Sequence, residues 1–279
     1  MLIDHGKCVA CGNCIPICPV GAIYIDTAVN RAVVSLDECV ECYTCYRGMS
    51  KEYLNPTLVR TIRGFLKLFR IRFDPEPDVC PTDAILPQEL TWPRIVRRAF
   101  SDPVVPHEAT GVHGRGTEEV KTNDVTGRVN EGEAGFTIEF GRPGVGVRFR
   151  DVQKVTMALA LLPIAFEKKN PVFCLMSDPA VGTIREDILD EKVLSAIVEI
   201  KTKLEHVPEV LRRVEEVSQS VDTIVSVGVA TRCDSQGDDL LEPLLKRQGY
   251  TFYRGKTNLG LGRRPAQVPV GATAAPGPP

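Results

Sequence analysis

The stretch Cys8-Val9-Ala10-Cys11-Gly12-Asn13-Cys14-Ile15-Pro16-Ile17-Cys18-Pro19 decides the fold at the start of this 279-residue chain. Its spacing, C-x2-C-x2-C-x3-C-P, is the one with which bacterial proteins ligate iron–sulfur clusters. Three thiolates at intervals of three residues in a tightly coiled loop can converge on three corners of one cubane. The fourth cysteine, followed by proline, points away to a second cluster. The motif therefore predicts two clusters.

A second triplet supplies most of the remaining ligands. Cys39-Val40-Glu41-Cys42-Tyr43-Thr44-Cys45 repeats the C-x2-C-x2-C spacing, but its cysteine–proline pair arrives only at Cys80-Pro81, after 34 intervening residues. An internal repeat supports the assignment of Cys80. Residues 18–23 match residues 80–85 at Cys, Pro, Ala and Ile. Two half-domains related by duplication fit this pattern.

The eight cysteines divide into two sets with exchanged fourth ligands, as in other two-cluster proteins. We predict that a first [4Fe-4S] cluster, cluster 1, is held by Cys8, Cys11, Cys14 and Cys80. Cluster 2 takes Cys39, Cys42, Cys45 and Cys18. Two other uses of cysteine fit less well. Disulfides need an oxidising compartment, and structural zinc uses two C-x2-C pairs rather than two triplets.

The composition is that of a globular protein of about two domains, at roughly 100–200 residues per domain. The chain is 43% apolar and 25% charged, and 36 acids against 34 bases leave a net charge of −2. This balance gives no global attraction to nucleic acid. The first residues do not read as a signal peptide, and the longest apolar run, near 157–166, is far short of the roughly 20 residues of a membrane span. We therefore expect a cytoplasmic protein.

Residues 1 to about 90 resemble the bacterial-type dicluster ferredoxins through these cysteine motifs. The departure from that family is a basic insertion between Cys45 and Cys80. Residues 47–72 hold seven bases against Glu52 alone. Leu58, Ile62, Phe65, Leu66 and Phe69 recur there at helical spacing, which predicts a helix from Thr57 to Arg70 that starts near Asn55-Pro56.

Two uses of this helix stay open. It covers the ferredoxin core and leaves a solvated basic face, or it forms a docking surface for an acidic electron-transfer partner or another subunit. Membrane binding by a basic amphipathic helix is a third, weaker alternative.

The second half of the chain alternates strands and helices. We predict strands at 136–140, 171–176, 192–204 and 223–231, and helices at 150–165, 208–218 and 238–248. Two strand–helix–strand units with one helical layer on an antiparallel sheet give a ferredoxin-like double βαβ sandwich, so the chain as a whole is α+β. Cys174 falls in an apolar strand, which favours a buried structural thiol.

These patterns divide the chain into four parts. We predict a dicluster ferredoxin domain over 1–100 with a basic insertion at 46–79, an irregular linker or site segment over 101–135, an α+β domain over 136–264 and a disordered tail over 265–279.

The irregular segment is dense in hydrogen-bonding groups between Gly114 and Arg128. Arg115, Lys121 and Arg128 would supply cations to an anionic substrate, a flavin phosphate or a partner subunit. A plain surface loop or disorder is the alternative, because long irregular segments are commonly either functional or disordered.

Two runs resemble 6-hydroxynicotinate reductase and its relatives. They are 114–128, Gly-Arg-Gly-Thr-Glu-Glu-Val-Lys-Thr-Asn-Asp-Val-Thr-Gly-Arg, and 140–146, Phe-Gly-Arg-Pro-Gly-Val-Gly. The resemblance would cover most of residues 1–260. It implies ferredoxin-driven reduction of a heteroaromatic ring in an anaerobic pathway, with a flavin involved. That family continues into a further domain absent here, so the flavin and the chemistry are expected on a separate polypeptide.

The sequence therefore favours an iron–sulfur electron-transfer subunit of an anaerobic reductase complex, acting on a hydroxynicotinate-like ring. It would be a component of an oxidoreductase in a hetero-oligomer rather than a complete enzyme. The alternative is a non-catalytic carrier ferredoxin whose added domain senses a ligand or mediates assembly.

Overall fold

Two hydrophobic cores organise the chain, one around the cysteine motifs and one in the second half. The computed structural model describes residues 1–47, 56–71, 79–105, 128–142 and 144–253. Arg115, Lys121 and the expected tail at 265–279 lie outside these ranges. Among the described residues, no helix combines the length and the apolar composition that crossing a membrane requires.

The N-terminal domain is built from short strands and helices that hold the cysteine loops. Its elements are β1 (Leu2–Ile3), β2 (Ile23–Asp26), β3 (Arg31–Val34), α1 (Thr44–Arg47), α2 (Pro56–Leu68) and β4 (Ile85–Leu86). β1 pairs with β4 and β2 with β3, both antiparallel. Each pair joins to one of the two cysteine–proline repeats, because β2 begins at Ile23 and β4 at Ile85. The core between them contains Met1, Ile23, Ala32 and Ile85 together with the cysteines.

The C-terminal domain is an antiparallel sheet with helices, and that part of the predicted fold is confirmed. Its main strands are β5 (Glu133–Phe140), β7 (Ala165–Phe166), β11 (Ala196–Lys203) and β12 (Val225–Thr231). They lie in the order β12-β5-β11-β7, and every neighbouring pair is antiparallel. α4 (Phe149–Ala160) follows β5 and α5 (Val207–Ser218) follows β11. Each helix thus connects two strands that are not neighbours in the sheet.

One face of this sheet packs against the two helices. Ala134, Phe136, Ile138 and Phe140 alternate along β5 and are fully buried, as the two-residue period of a strand requires. Val152, Val155 and Leu159 of α4 and Val207, Val210 and Val214 of α5 belong to the same core. The apolar stripe of each helix explains why the helices form and why they lie on the sheet.

Smaller elements complete the second half. These are α3 (Ile95–Ser101), β6 (Val147–Arg148), β8 (Met176–Asp178), β9 (Thr183–Ile184), β10 (Lys192–Val193), α6 (Leu241–Arg247) and three short 3₁₀ helices. β6 pairs with β10 and β8 pairs with β9. Val96 and Phe100 of α3 pack in the second core, although the sequence placed 1–100 in the first domain.

Several predicted elements are wrong in detail. Residues 171–176 were predicted as a strand, but Phe173–Leu175 is a 3₁₀ helix and only Met176–Asp178 is extended. Cys174 is therefore exposed and not a buried thiol. The predicted strand at 192–204 is two strands, β10 and β11, separated by a bend. Composition alone does not show where a β-rich run turns.

Candidate iron–sulfur centre

Each predicted set of cysteines lines a cavity of its own. Cys8, Cys11, Cys14 and Cys80 surround one cavity, and Cys18, Cys39, Cys42 and Cys45 surround the other. No three of the described His, Cys, Asp and Glu side chains converge closely enough to hold one ion. The thiols instead stand apart around a space, as ligands to separate irons of one cubane must. Ligation by these particular residues stays a prediction.

The backbone repeats the duplication that the sequence suggested. Three pairs of residues with positive φ occupy equivalent places in the two repeats. Ala10 and Glu41 lie two positions after the first cysteine of each triplet, and Gly12 and Tyr43 lie one position after the second. Gly21 and Asp83 lie three positions after the cysteine of each cysteine–proline pair. Left-handed residues reverse the chain locally. The matching positions show that both loops coil around their cavities in the same way.

Cys80 has the same local surroundings as Cys18, although 34 residues separate Cys80 from Cys45, the last cysteine of the second triplet. The amide of Ala22 lies 3.2 Å from Cys18 Sγ, and the amide of Ala84 lies 3.2 Å from Cys80 Sγ. Burial acts to raise the pKa of the Cys80 thiol, but the Ala84 amide and the Thr82 hydroxyl outweigh it and leave the pKa below 9.0. Amide hydrogen bonds to sulfur are the contacts that stabilise cluster thiolates.

The donor set and the cavity walls fit a [4Fe-4S] group. Apart from the cysteines, the cavity of cluster 2 is lined by apolar residues, which include Val20, Ile23 and Val34, and by Tyr43. Burial raises the pKa of Cys14 to about 11 and that of Cys45 well above its usual value. Such thiols lose their protons when iron binds, so metal loading and folding are coupled here.

The two cavities differ in their access to solvent. In the set of cluster 1, Cys11 is exposed and its neighbour Val9 is 61% exposed. In the set of cluster 2, Cys39, Cys42 and Cys45 are all buried. The first cavity is thus open to solvent on the side of Cys11, although Cys8 and Cys14 are buried, whereas the second triplet is buried throughout.

A buried carboxylate lies beside the cluster 2 loop. Glu41 is completely buried between Cys39 and Cys42. It accepts hydrogen bonds from the amino group of Met1 at 2.7 Å and from Arg94 Nη2 at 2.6 Å. Burial first, and then the Glu41 charge, raise the pKa of Cys39. Two cations therefore compensate a charge that would otherwise be costly in this position.

The cluster 2 loop also lies against the C-terminal domain. Leu194 packs with Val40 and Cys42 in a small apolar group. A Cβ added at Gly144 would lie 3.1 Å from the Pro19 carbonyl oxygen, so the loop after β5 touches the Cys18-Pro19 turn closely.

Arg97 joins these two regions. Its guanidinium is 4% exposed and donates to the carbonyls of Leu36, Asp37 and Cys39. It also pairs with Glu191 of the C-terminal domain.

Around Arg97 three more ion pairs cross from one domain to the other, and one of them joins Arg148 Nη2 to Glu38 Oε1 at 3.1 Å. Arg148 Nη2 lies 2.7 Å from Asp37 Oδ2, and Lys192 pairs with Glu38. The hydrogen bond from Arg148 lowers the pKa of Asp37, and that from Lys192 lowers the pKa of Glu38. The loop that leads into the second cysteine triplet is thus fixed to the second domain.

Helix α2 lies beside Cys80. Arg60 Nη2 donates to the Cys80 carbonyl at 3.0 Å, and Arg60 Nη1 lies 3.0 Å from Asp83 Oδ1. The opposite side, with Leu58, Ile62 and Phe65, is exposed. The interpretation in which the apolar face covers the ferredoxin core is therefore wrong. A basic side chain is turned inward, and the apolar stripe is turned outward.

Of the three cations predicted to bind an anion or a partner, only Arg128 lies in the described part of the chain. It is 17% exposed and pairs with Glu167, and its carbonyl accepts a hydrogen bond from Lys201 at 3.0 Å. The structure brings Arg128 to the edge of β11 and engages its guanidinium with a carboxylate. Its role as a ligand contact, like those of Arg115 and Lys121, stays a prediction.

Sequence reasoning did not single out Glu41, and it placed Arg94 and Arg97 on a basic surface rather than beside the second cysteine triplet. One signal was available, because Glu41 is an acid inside a cysteine triplet. The charged partners of this carboxylate come from distant parts of the chain, and no local pattern marks them.

Comparison with known proteins agrees with this geometry over the N-terminal part. Residues 1–48 match the family model described as a 4Fe-4S dicluster domain. A protein of Azotobacter chroococcum mcd 1, named "Ferredoxin-like protein in vnf region", is 40% identical over 42 residues. That stretch is 15% of this chain, and the chain spans 62% of the relative's length. No solved structure gave a significant match.

The N-terminal part of the chain is therefore a 4Fe-4S dicluster domain, which binds two [4Fe-4S] clusters. Its ferredoxin-type character indicates electron transfer. Cys80 lies beyond the matched residues, so the geometry around Ala84 is the main support for the eighth ligand.

Proposed function

We propose that this chain is a cytoplasmic iron–sulfur subunit of a reductase complex, which relays single electrons between a surface site and a buried one. The observation that carries the proposal is the unequal placement of the two cysteine sets. The first set opens to solvent at Cys11, and the second is enclosed between the two domains. Bound [4Fe-4S] clusters supply one-electron transfer at such sites.

The protein's own residues have distinct tasks in this relay. Val9 and Cys11 leave the first site accessible to a redox partner. Val40 and Leu194 exclude water from the second site on the side of the C-terminal domain. Arg97 holds the loop of the second triplet and the C-terminal domain in one position through its carbonyl contacts and its pair with Glu191.

We assign the C-terminal domain to the ferredoxin-like double βαβ class, on the support of its strand order and its two helices. The run 140–146, which resembles 6-hydroxynicotinate reductase, lies against the cluster 2 loop through Gly144. From the sequence resemblance of this run we propose a heteroaromatic, hydroxynicotinate-like substrate that is reduced with a flavin on a partner subunit. Electrons would then leave from the buried site toward this loop.

Anaerobic purification of the tagged chain from its native cells tests the proposal. The expected product is a complex with a flavin-binding subunit that reduces 6-hydroxynicotinate with reduced viologen as donor. In Cys45→Ser, turnover should disappear while cluster 1 is retained. A chain that purifies without a redox subunit, or a complex whose turnover survives loss of cluster 2, would favour the carrier alternative.

A further inference from the structure

We propose that the outward apolar face of α2 is the docking site for a redox partner protein whose contact surface is apolar at its centre and acidic at its rim. The proposal rests on the proposed function, since it names the partner that exchanges electrons at the surface site.

The first observation is an apolar stripe exposed to solvent. Leu58, Ile62, Phe65 and Phe69 follow the spacing of one helix face and are 52%, 40%, 63% and 59% exposed. The rings of Phe65 and Phe69 contact each other edge to face, with centroids 5.2 Å apart. A helix at a protein surface normally buries such a stripe, and contiguous exposed apolar patches mark interaction sites.

The second observation is the place where this helix is attached. Arg60 fixes α2 to the Cys80 carbonyl and to Asp83. The stripe therefore faces away from the protein directly beside the first cysteine set. A partner that covers the stripe comes close to the redox site that is accessible from solvent.

The charge of the segment favours an acidic partner. No acidic residue occurs between Glu52 and Asp74. Arg70 directly follows Phe69 at the end of the stripe and is exposed, and Lys67 is exposed on the same face of α2 as Arg60. An apolar centre with a charged rim is the usual anatomy of a protein–protein contact, and charges at the rim steer association.

The size and orientation of α2 argue against two other occupants. Its 13 residues make a helix about 20 Å long, whose single stripe falls short of the roughly 800 Å² per partner of a stable dimer. Lipid-bound helices use a basic polar face at the membrane surface, whereas Arg60 here is directed toward Cys80 and Asp83. A transient protein partner fits both facts.

A photo-crosslinking experiment in native cells tests the site. Phe65 is replaced by p-benzoylphenylalanine, a close analogue, and the same group at Leu161, which is 77% exposed on the C-terminal domain, serves as the control. We expect the probe at 65, and not at 161, to capture a protein with a redox cofactor, through a peptide that contains acidic residues. Cross-links to this chain, to a second copy, to a protein without a redox cofactor or to nothing would overturn the proposal.

Two further measurements complete the test. Lys67→Glu with Arg70→Glu should lower the cross-link yield about fivefold or more at low salt, whereas Lys203→Glu should leave it unchanged. Phe69→Ser, in the chain that carries the probe at 65, should lower the yield and keep the melting temperature, and a falling melting temperature would show that the stripe is internal packing. Sedimentation of the protein with phosphatidylglycerol vesicles would overturn the proposal in favour of a membrane. Iron content and cluster spectra are measured in every variant. If they are unchanged, a lost cross-link reports the loss of docking and not a failure of the proposed electron-transfer function.

Discussion

At the scale of single residues, the position of Cys80 decides whether the insertion interrupts a cluster site or only decorates it. The Ala84 amide and the positive φ of Asp83 reproduce the surroundings of Cys18. Because each iron needs its own thiolate, Cys80→Ala should lower the iron content from about eight to about four per chain.

The signals of cluster 2 should survive this change, and Cys174→Ala, at an exposed cysteine outside both cavities, should keep all the iron. Iron analysis and low-temperature electron paramagnetic resonance make the comparison. Loss of cluster 2 instead of cluster 1 in Cys80→Ala would contradict the assignment.

The ion pair between Arg47 and Asp102 gives a second test at this scale. Asp102 is completely buried, and the two side chains form bonds of 2.6 and 2.5 Å. Burial acts to raise the pKa of Asp102, but Arg47 and the Val104 amide outweigh it and leave the pKa below its ordinary value. Asp102→Asn should lower the free energy of unfolding by about 3 kcal/mol, because it leaves Arg47 without its carboxylate.

This contribution depends on pH in a defined direction. The pKa of Asp102 is lower in the folded protein, so its stabilisation is complete above the unfolded value of about 3.9 and is lost as the pH falls through the folded value. The difference in free energy of unfolding between wild type and Asp102→Asn, measured by denaturant titration, should therefore shrink as the pH falls. Glu216→Gln, in the exposed pair with Arg212, should cost about 0.5 kcal/mol or less at any pH.

At the scale of elements, the turn after β5 packs closely against the backbone at Leu194. Gly141 has a φ of +82°, and a Cβ there would lie 2.8 Å from the Leu194 carbonyl oxygen. Gly132 has a similar φ of +80° but no atom within 4 Å of its added Cβ. Gly141→Ala should therefore cost about 2 kcal/mol more than Gly132→Ala in the free energy of unfolding, because only the first change also creates a clash. Equal costs would show that Leu194 can move away freely.

The elements also show what the sequence could predict. The cysteine sets were accessible because thiolate spacing is a local property, and the repeated cysteine–proline hexapeptide revealed the distant ligand. The sheet with its helices followed from the alternation in Phe136–Phe140 and the apolar stripe in 208–218. The orientation of a helix relative to the rest of the protein could not be predicted in the same way. The pattern of α2 shows which side is apolar, but the contact of Arg60 with Cys80 decides which side faces the protein.

At the scale of the whole molecule, Arg97 couples the cluster 2 loop to the C-terminal domain. Arg97→Met removes its bonds to the carbonyls of Leu36, Asp37 and Cys39 and leaves Glu191 unpaired. We expect a loss of about 3 kcal/mol in stability and faster release of iron from cluster 2 to a chelator, with cluster 1 unaffected.

Arg212→Met is the matched control, since Arg212 pairs with Glu216 within α5. It should leave both rates of iron release unchanged. If Arg97→Met released iron from both clusters at the same rate, the guanidinium would stabilise the protein as a whole and not the cluster 2 loop in particular.

The exchange of fourth ligands has a consequence for biosynthesis. The ribosome delivers the thiols in order, so the set for cluster 2 is complete once Cys45 has emerged, and the set for cluster 1 waits 35 residues longer for Cys80. At about 5–20 residues per second this interval lasts about two to seven seconds. During it Cys8, Cys11 and Cys14 are exposed on the nascent chain with no fourth partner. On the predicted assignment, the set that contains the exposed Cys11 is the last to gain its fourth thiol, so we expect cluster 1 to form after all four thiols of the other set have emerged.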